Sequence, residues 1–339
     1  MEELNKNNNI AFLNYLKAFA IICVIIHHFS FTRSQFTNPI FLYLVYMAVP
    51  VFMFVTGFVY TKSYLRNNIT KLKNLYNIKL ILKRFLRICV PFILIFIIEY
   101  YFNMNGLHNS NNLFLDFIQG GAAVGKGSYY FPVILQIIIF FPLIYFIIKK
   151  FNYKGFILLF LLEFLYSFYC YYHSVCVRDY RLQAFRYITL LASGCWLALN
   201  SDIKINRKYL ILSLMAGVLY IYLAGYINYP IPYGYPYWKS VSGIFITMYI
   251  FPILYYLYKK YSNVEVTNIL GKTIDFVGKS SWHIYLVQMV YYISVEKYMT
   301  KLNFYPHIFL NILICIFAGV LFYYAERKIL KLIYPKYCK

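Results

Sequence analysis

The stretch Asn14-Tyr-Leu-Lys17-Ala-Phe-Ala-Ile-Ile-Cys-Val-Ile-Ile-His27-His28 is apolar except near its ends and at Lys17. Read as a helix it turns ~100° per residue, so the steps from Lys17 to His28 amount to three turns plus ~20°. Both side chains therefore leave one face, ~16 Å apart along the axis. His27 is rotated ~100° from His28, so only one of the two histidines shares the lysine's face. A bilayer core is ~30 Å thick, and ionisable groups inside a spanning helix are costly unless they face protein or a water-filled cavity. The segment thus sets a cation near one end of a membrane-buried face and a titratable imidazole most of the way to the other.

The rest of the chain agrees that lipid is the solvent. Of its 339 residues 62% are hydrophobic and 13% charged, more apolar surface than a water-soluble domain hides. Apolar runs of spanning length fall near 10–31, 40–61, 86–102, 129–148, 155–173, 183–200, 209–226, 240–258, 281–297 and 305–324. The predicted fold is all-α: a single domain over 1–339, polytopic, with about ten transmembrane helices. The first segment is too long for a signal-peptide core and has no small-residue cleavage site after it, so it is expected to remain.

A net charge of +22 would suggest nucleic acid in a soluble protein. Here most of the cations cluster in alternate loops, at 62–87, 149–154, 204–208, 259–279 and 327–339. By the positive-inside bias those loops and both termini are cytoplasmic, so the expected partner is membrane lipid and no nucleic acid. The basic 62–85 segment reads as an amphipathic helix on the cytoplasmic leaflet. The run Gly120-Gly-Ala-Ala-Val-Gly125-Lys126-Gly127 has the spacing of a phosphate-cradling loop up to its lysine, then glycine where a hydroxyl residue belongs. It lies outside and leads into a span, so it reads as a re-entry loop. The seven cysteines are scattered and are assigned no chemistry. Cys170 and Cys176 are close enough in sequence for a disulfide, although spacing alone does not demand one. No metal set is expected.

Four places, taken together, resemble the integral-membrane acyltransferase-3 family. Lys17 and His28 match its first-helix pattern of Arg or Lys, ten residues, then His. Val49-Pro50-Val-Phe52-Met-Phe54-Val-Thr56-Gly57-Phe58 matches its second-helix motif, with threonine for serine. Arg84-Phe-Leu-Arg87-Ile-Cys-Val-Pro91 matches the entry to its third helix. Gly278-Lys-Ser280-Ser281-Trp-His-Ile284-Tyr285-Leu286-Val287-Gln288 matches a late motif whose usual final histidine is Gln288 here, so that position is not expected to carry an essential proton.

The resemblance implies a ten-helix enzyme that moves an acyl group, commonly acetyl, from cytoplasmic acetyl-CoA or another acyl-CoA. The receiving group would be a hydroxyl of an extracytoplasmic or lipid-linked glycan. It also implies a multi-pass protein of the cell membrane, bacterial and cytoplasmic, that modifies polysaccharide of the cell envelope by O-acetylation. His28 would be the general base, since neutral imidazole suits removal of a hydroxyl proton. Direct transfer is favoured over an acyl-histidine intermediate. Lys17 would assist catalysis, Arg84 and Arg87 would hold the CoA phosphates in charge-assisted contacts, and Asn14 would bond the pantetheine arm. From the residues alone, other accounts stand beside these: an interfacial histidine, a snorkelling lysine, basic residues required by topology, and an asparagine capping a helix start.

For the acceptor, Arg178, Arg181 and Arg186 break the charge bias by lying outside, and Tyr235 and Trp238 belong to a run of amphipathic rings. The alternatives are lipid phosphate contacts and an interfacial aromatic belt. Glu99 and Glu163 fall well inside predicted spans, and Glu99, in the outer half, is expected to orient His28. A flippase or exporter of lipid-linked sugars is the competing class, although it has no need of a histidine in register with a cation.

Overall fold

The computed structural model describes residues 2–29, 38–102, 112–119, 127–226, 243–262, 268–298 and 303–333. Every regular element among them is a helix. We number the principal ones α1 (Glu2–His28), α2 (Ala48–Arg66), α3 (Ile78–Tyr101), α4 (Tyr130–Phe151), α5 (Tyr153–Tyr172), α6 (Ile188–Leu199), α7 (Arg207–Ile221), α8 (Gly243–Tyr261), α9 (Ile269–Lys279), α10 (Ser281–Ser294) and α11 (Phe304–Ile333).

Among the described residues, six segments are long and apolar enough to cross a membrane: Ala11–His28, Pro39–Arg66, Tyr130–Phe151, Tyr153–Tyr172, Arg207–Tyr226 and Phe304–Leu332. The other four expected spans are helical too, and each has a reason to fall short. Helix α3 begins with a basic stretch that includes Lys79, Lys83, Arg84 and Arg87, α8 is rich in tyrosine, and α6 and α10 are only 12 and 14 residues long. The expected surface helix over 62–85 is divided. Helix α2 runs on to Arg66, a short turn Leu72–Leu75 follows with Leu75 fully buried, and α3 starts at Ile78. The apolar teeth of that segment therefore face protein as well as lipid.

Helices α1, α2, α6 and α10 lie at the centre. The α2–α6 crossing is very close: a Cβ at Gly57 would strike the Leu191 carbonyl, and one at Gly194 would strike the Phe54 carbonyl. Reciprocal glycines let the two backbones touch, the usual device where hydrophobic burial cannot drive association in lipid. Gly278 of α9 presses likewise on the backbone of Asn14 in α1. These close crossings leave room on the other side of α1 and α2, where the chain encloses a cavity. Cys170 is buried, Cys176 is exposed, and no disulfide joins them.

Candidate functional site

One cavity of about 1050 Å³ runs along α1 and is walled by α2, α3, α4, α10, α11 and the segment before α6. Lys17 and His28 both line it, as the helical register requires. His27 lines it as well, because the cavity wraps around the end of α1 and is wider than one helical face. The Tyr46 ring stands 4.9 Å from the His27 ring.

At one end the cavity is basic. Lys83, Arg84 and Arg87 from α3, Lys279 from α9, and Arg327 and Lys331 from α11 converge there with Lys17. Arg84 is nearly buried, donates from Nη1 to the Tyr64 hydroxyl at 2.9 Å, and has its guanidinium carbon 4.0 Å from the Tyr60 ring centre. Its Nη2 has no partner among the described residues. Tyrosine faces thus hold the head of Arg84 while leaving hydrogen-bonding capacity. Pro91, one turn above Arg87, cannot donate to the Arg87 carbonyl, which opens the helix at the same place. Two acids temper this end. Asp275 pairs with Lys279 at 2.5 Å and accepts from Asn14 Nδ2 at 2.8 Å. Glu326 lies 2.6 Å from Nε2 of His283. Asn14, buried against α9, is thus placed on Asp275 and is not part of the cavity wall.

At the other end the chemistry narrows to a few contacts. Nδ1 of His28 is 2.6 Å from Oε1 of Gln288, a fully buried residue of α10. An amide oxygen only accepts, so in this contact Nδ1 is the donor, an arrangement that leaves Nε2 of the neutral ring to act as a general base. The ring is also packed edge-on against Tyr292, 6.1 Å between centroids. Gly127 closes on it from the start of α4. A side chain there would come within 2.8 Å of His28 Cε1, and the backbone φ of +97° is open to glycine and strained for other residues. Tyr285 donates from its hydroxyl to the Gly127 carbonyl, fixing that approach.

Glu99 is buried in α3, near enough to Tyr285 to interact with its hydroxyl electrostatically, but neither carboxylate oxygen has a hydrogen-bond partner among the described residues. The bond to His28 comes from Gln288. Arg181 and Arg186 both line the cavity, Arg186 almost fully buried. The side chain of Arg178 and residues Tyr235 and Trp238 lie outside the described residues. Sequence reasoning missed Gln288 as a partner of His28, and it missed Lys279, Arg327 and Lys331 as companions of Arg84 and Arg87. For the last pair a signal existed: Tyr323, Arg327 and Lys331 recur every four residues on one face of α11, with the Arg327 guanidinium 4.8 Å from the Tyr323 ring.

A family model described as an acyltransferase domain, of the acyltransferase-3 type, matches residues 10–325. Neither the curated proteins nor the solved structures give a match.

Proposed function

The chain belongs to the acyltransferase-3 family, and from that premise we propose that it is a membrane O-acyltransferase carrying acetyl, or another acyl group, from cytoplasmic acyl-CoA to a hydroxyl of an extracytoplasmic or lipid-linked glycan. We read it as a ten-span protein of the bacterial cytoplasmic membrane with both termini inside, so that the basic end of the cavity opens to the cytoplasm. The observation that supports this reading is a continuous cavity with a cluster of cations at one end and His28, bonded to Gln288, at the other.

In this mechanism the phosphates of acyl-CoA rest among Lys83, Arg84, Arg87, Lys279, Arg327 and Lys331, while the pantetheine arm runs up the cavity past Lys17. The acceptor hydroxyl, barely ionised at neutral pH, gives its proton to Nε2 of His28 as its oxygen attacks the thioester carbonyl. Collapse of the tetrahedral intermediate breaks the C–S bond, and the departing thiolate takes the proton from Nε2 of His28, which restores the neutral imidazole and releases CoA as the free thiol. Gln288 holds the ring so that the lone pair faces the acceptor, and Lys17 contributes positive charge along the path of the thioester. Asn14, through Asp275, keeps α9 and its Lys279 against α1.

The test is transfer itself. Full-length protein reconstituted in vesicles is incubated with radiolabelled acetyl-CoA and extracted lipid-linked glycans. The expected product is labelled glycan that releases acetate in mild alkali, as an ester does. Movement of the glycan across the bilayer without any labelled ester would overturn the proposal in favour of a flippase or exporter.

A further inference from the structure

Helix α6 has 12 residues, a rise of ~18 Å, which is too short for a ~30 Å core. The difference is made up by residues 182–187, a turn followed by the tight 3₁₀ helix Ala184–Tyr187 that leads into α6. Irregular backbone survives at membrane depth only when protein satisfies its polar groups. Two side chains do so here. Gln136, two turns into α4, donates to the Leu182 carbonyl at 2.6 Å and accepts from the Ala184 N–H at 2.9 Å. Glu163, midway along α5, accepts from the Thr189 N–H at 2.7 Å. The segment expected as a span over 183–200 therefore opens with a tight 3₁₀ turn that Gln136 and Glu163 hold down.

That turn carries Arg186 into the cavity wall at 2% exposure. Its guanidinium carbon is 4.5 Å from the Tyr187 ring and 5.2 Å from the Tyr180 ring, and the hydroxyls of Tyr187 and Tyr129 are near enough to interact with it electrostatically. Nε and Nη1 have no hydrogen-bond partner among the described residues. Glu163 is near enough to Arg186 to interact with it electrostatically, but its Oε2 accepts from Thr189 and no ion-pair contact joins the two among the described residues. The acid on the cavity wall among the described residues, Glu326, is bonded to His283 at the basic end. A buried cation whose guanidinium nitrogens lack a counter-charge at contact distance is unfavourable. Arg181 adds a second positive charge to the same wall.

We propose that Arg186 is the receptor for an anionic group on the acceptor, so that the natural acceptor is an acidic saccharide bearing a carboxylate or a phosphate ester. This rests on the acyl-transfer reading. The anion of acyl-CoA is not the ligand, because its phosphates belong with the cations of the opposite end and its acyl and pantetheine parts are neutral.

The test uses the full chain in vesicles with acetyl-CoA and three acceptors: a uronic-acid oligosaccharide, the same oligosaccharide with its carboxyls reduced to alcohols, and a glycerol-phosphate glycan. The wild type is expected to favour one acidic acceptor, and which one identifies carboxylate or phosphate. Arg186→Gln should raise the KM for that acceptor about 30-fold or more, leaving the KM for acetyl-CoA unchanged, and Arg186→Lys should recover part of the loss. Binding is read separately from activity: the favoured acidic saccharide should raise the melting temperature of detergent-solubilised wild type, and its neutral counterpart should not. Equal use of acidic and neutral acceptors by the wild type, or equal loss on both in Arg186→Gln, overturns the inference while acyl transfer stands. If the glutamine variant does not fold, the wild-type preference and melting shifts decide alone. If no acceptor is labelled, the acyl-transfer reading fails, and the melting shifts still report whether the wall binds an anion.

Discussion

The two ends of the cavity are built on opposite principles. At the basic end, seven cations from α1, α3, α9 and α11 share one mouth, several of them exposed and one, Lys279, paired with an acid. At the histidine end the His28 imidazole meets the Gln288 amide at hydrogen-bond distance and is hemmed in by Gly127 and two tyrosines. Redundant charges on long side chains attract a flexible, multiply charged group without fixing it. Single contacts at hydrogen-bond distance fix one atom. Substitutions should accordingly cost little and depend on salt at the first end, and cost much, independently of salt, at the second.

The sharpest way to break that contrast is at the imidazole. His28→Ala should lower kcat by about 10³-fold, the range of a lost general base, with membrane insertion intact by protease protection of the loops. His27→Ala should stay within about 10-fold, although its ring also lines the cavity. Equal losses would mean that lining the wall suffices and that the bond to Gln288 has no special standing.

Lys17 stands between the two regimes, on the helix of His28 but close enough to Arg87, Asp275 and Lys279 to interact with them. Lys17→Met keeps the length of the stem without its charge and should lower kcat by about 10²-fold, as loss of a preorganised charge does. Lys17→Arg should retain at least about a tenth of the activity. Full activity in the methionine variant would move Lys17 out of the path and make it a lysine reaching for headgroups.

How far the sequence reveals all this depends on distance along the chain. The register of Lys17 with His28 and the pairing of Arg84 with Arg87 are legible because each lies within one helix, where periodicity fixes direction. The contact of His28 with Gln288 is not, since 260 residues separate them. The motif alone marks Gln288 as a departure from histidine, and only packing reveals that the amide meets the base. The tight 3₁₀ turn Ala184–Tyr187 was hidden for a related reason. Residues 183–200 are apolar enough to read as one span, and the backbone at its start is held by the side chains of Gln136 on α4 and Glu163 on α5. The limit of hydropathy shows again in α10, which is buried in protein and needs neither the length nor the composition of a lipid-facing helix.

Gln288 tests the one-contact principle directly. Gln288→Leu removes the acceptor for Nδ1–H and should lower kcat by about 10-fold, the worth of one hydrogen bond, with the KM for acyl-CoA unchanged. Gln288→His offers a ring nitrogen in place of the amide oxygen and should lose less. A leucine variant that raised only the KM would show that Gln288 binds substrate and does not orient the base.

The smallest effects belong to the basic end. Arg87→Gln and Arg327→Gln should each raise the KM for acyl-CoA by no more than about 5-fold, because an exposed ion contact is worth up to ~1 kcal/mol, and kcat should not move. Arg84→Gln should cost more than either, since it also breaks the bond to the Tyr64 hydroxyl and removes the cation from between two tyrosine rings. Raising the salt should shrink the penalties of Arg87→Gln and Arg327→Gln, because screening weakens the wild-type contacts too. It should leave the excess cost of Arg84→Gln in place, because that part is packing. A penalty that is large, single-residue and indifferent to salt at Arg87 would show that the basic end grips one phosphate as closely as the other end grips His28, and the contrast between distributed attraction and fixed contact would fail.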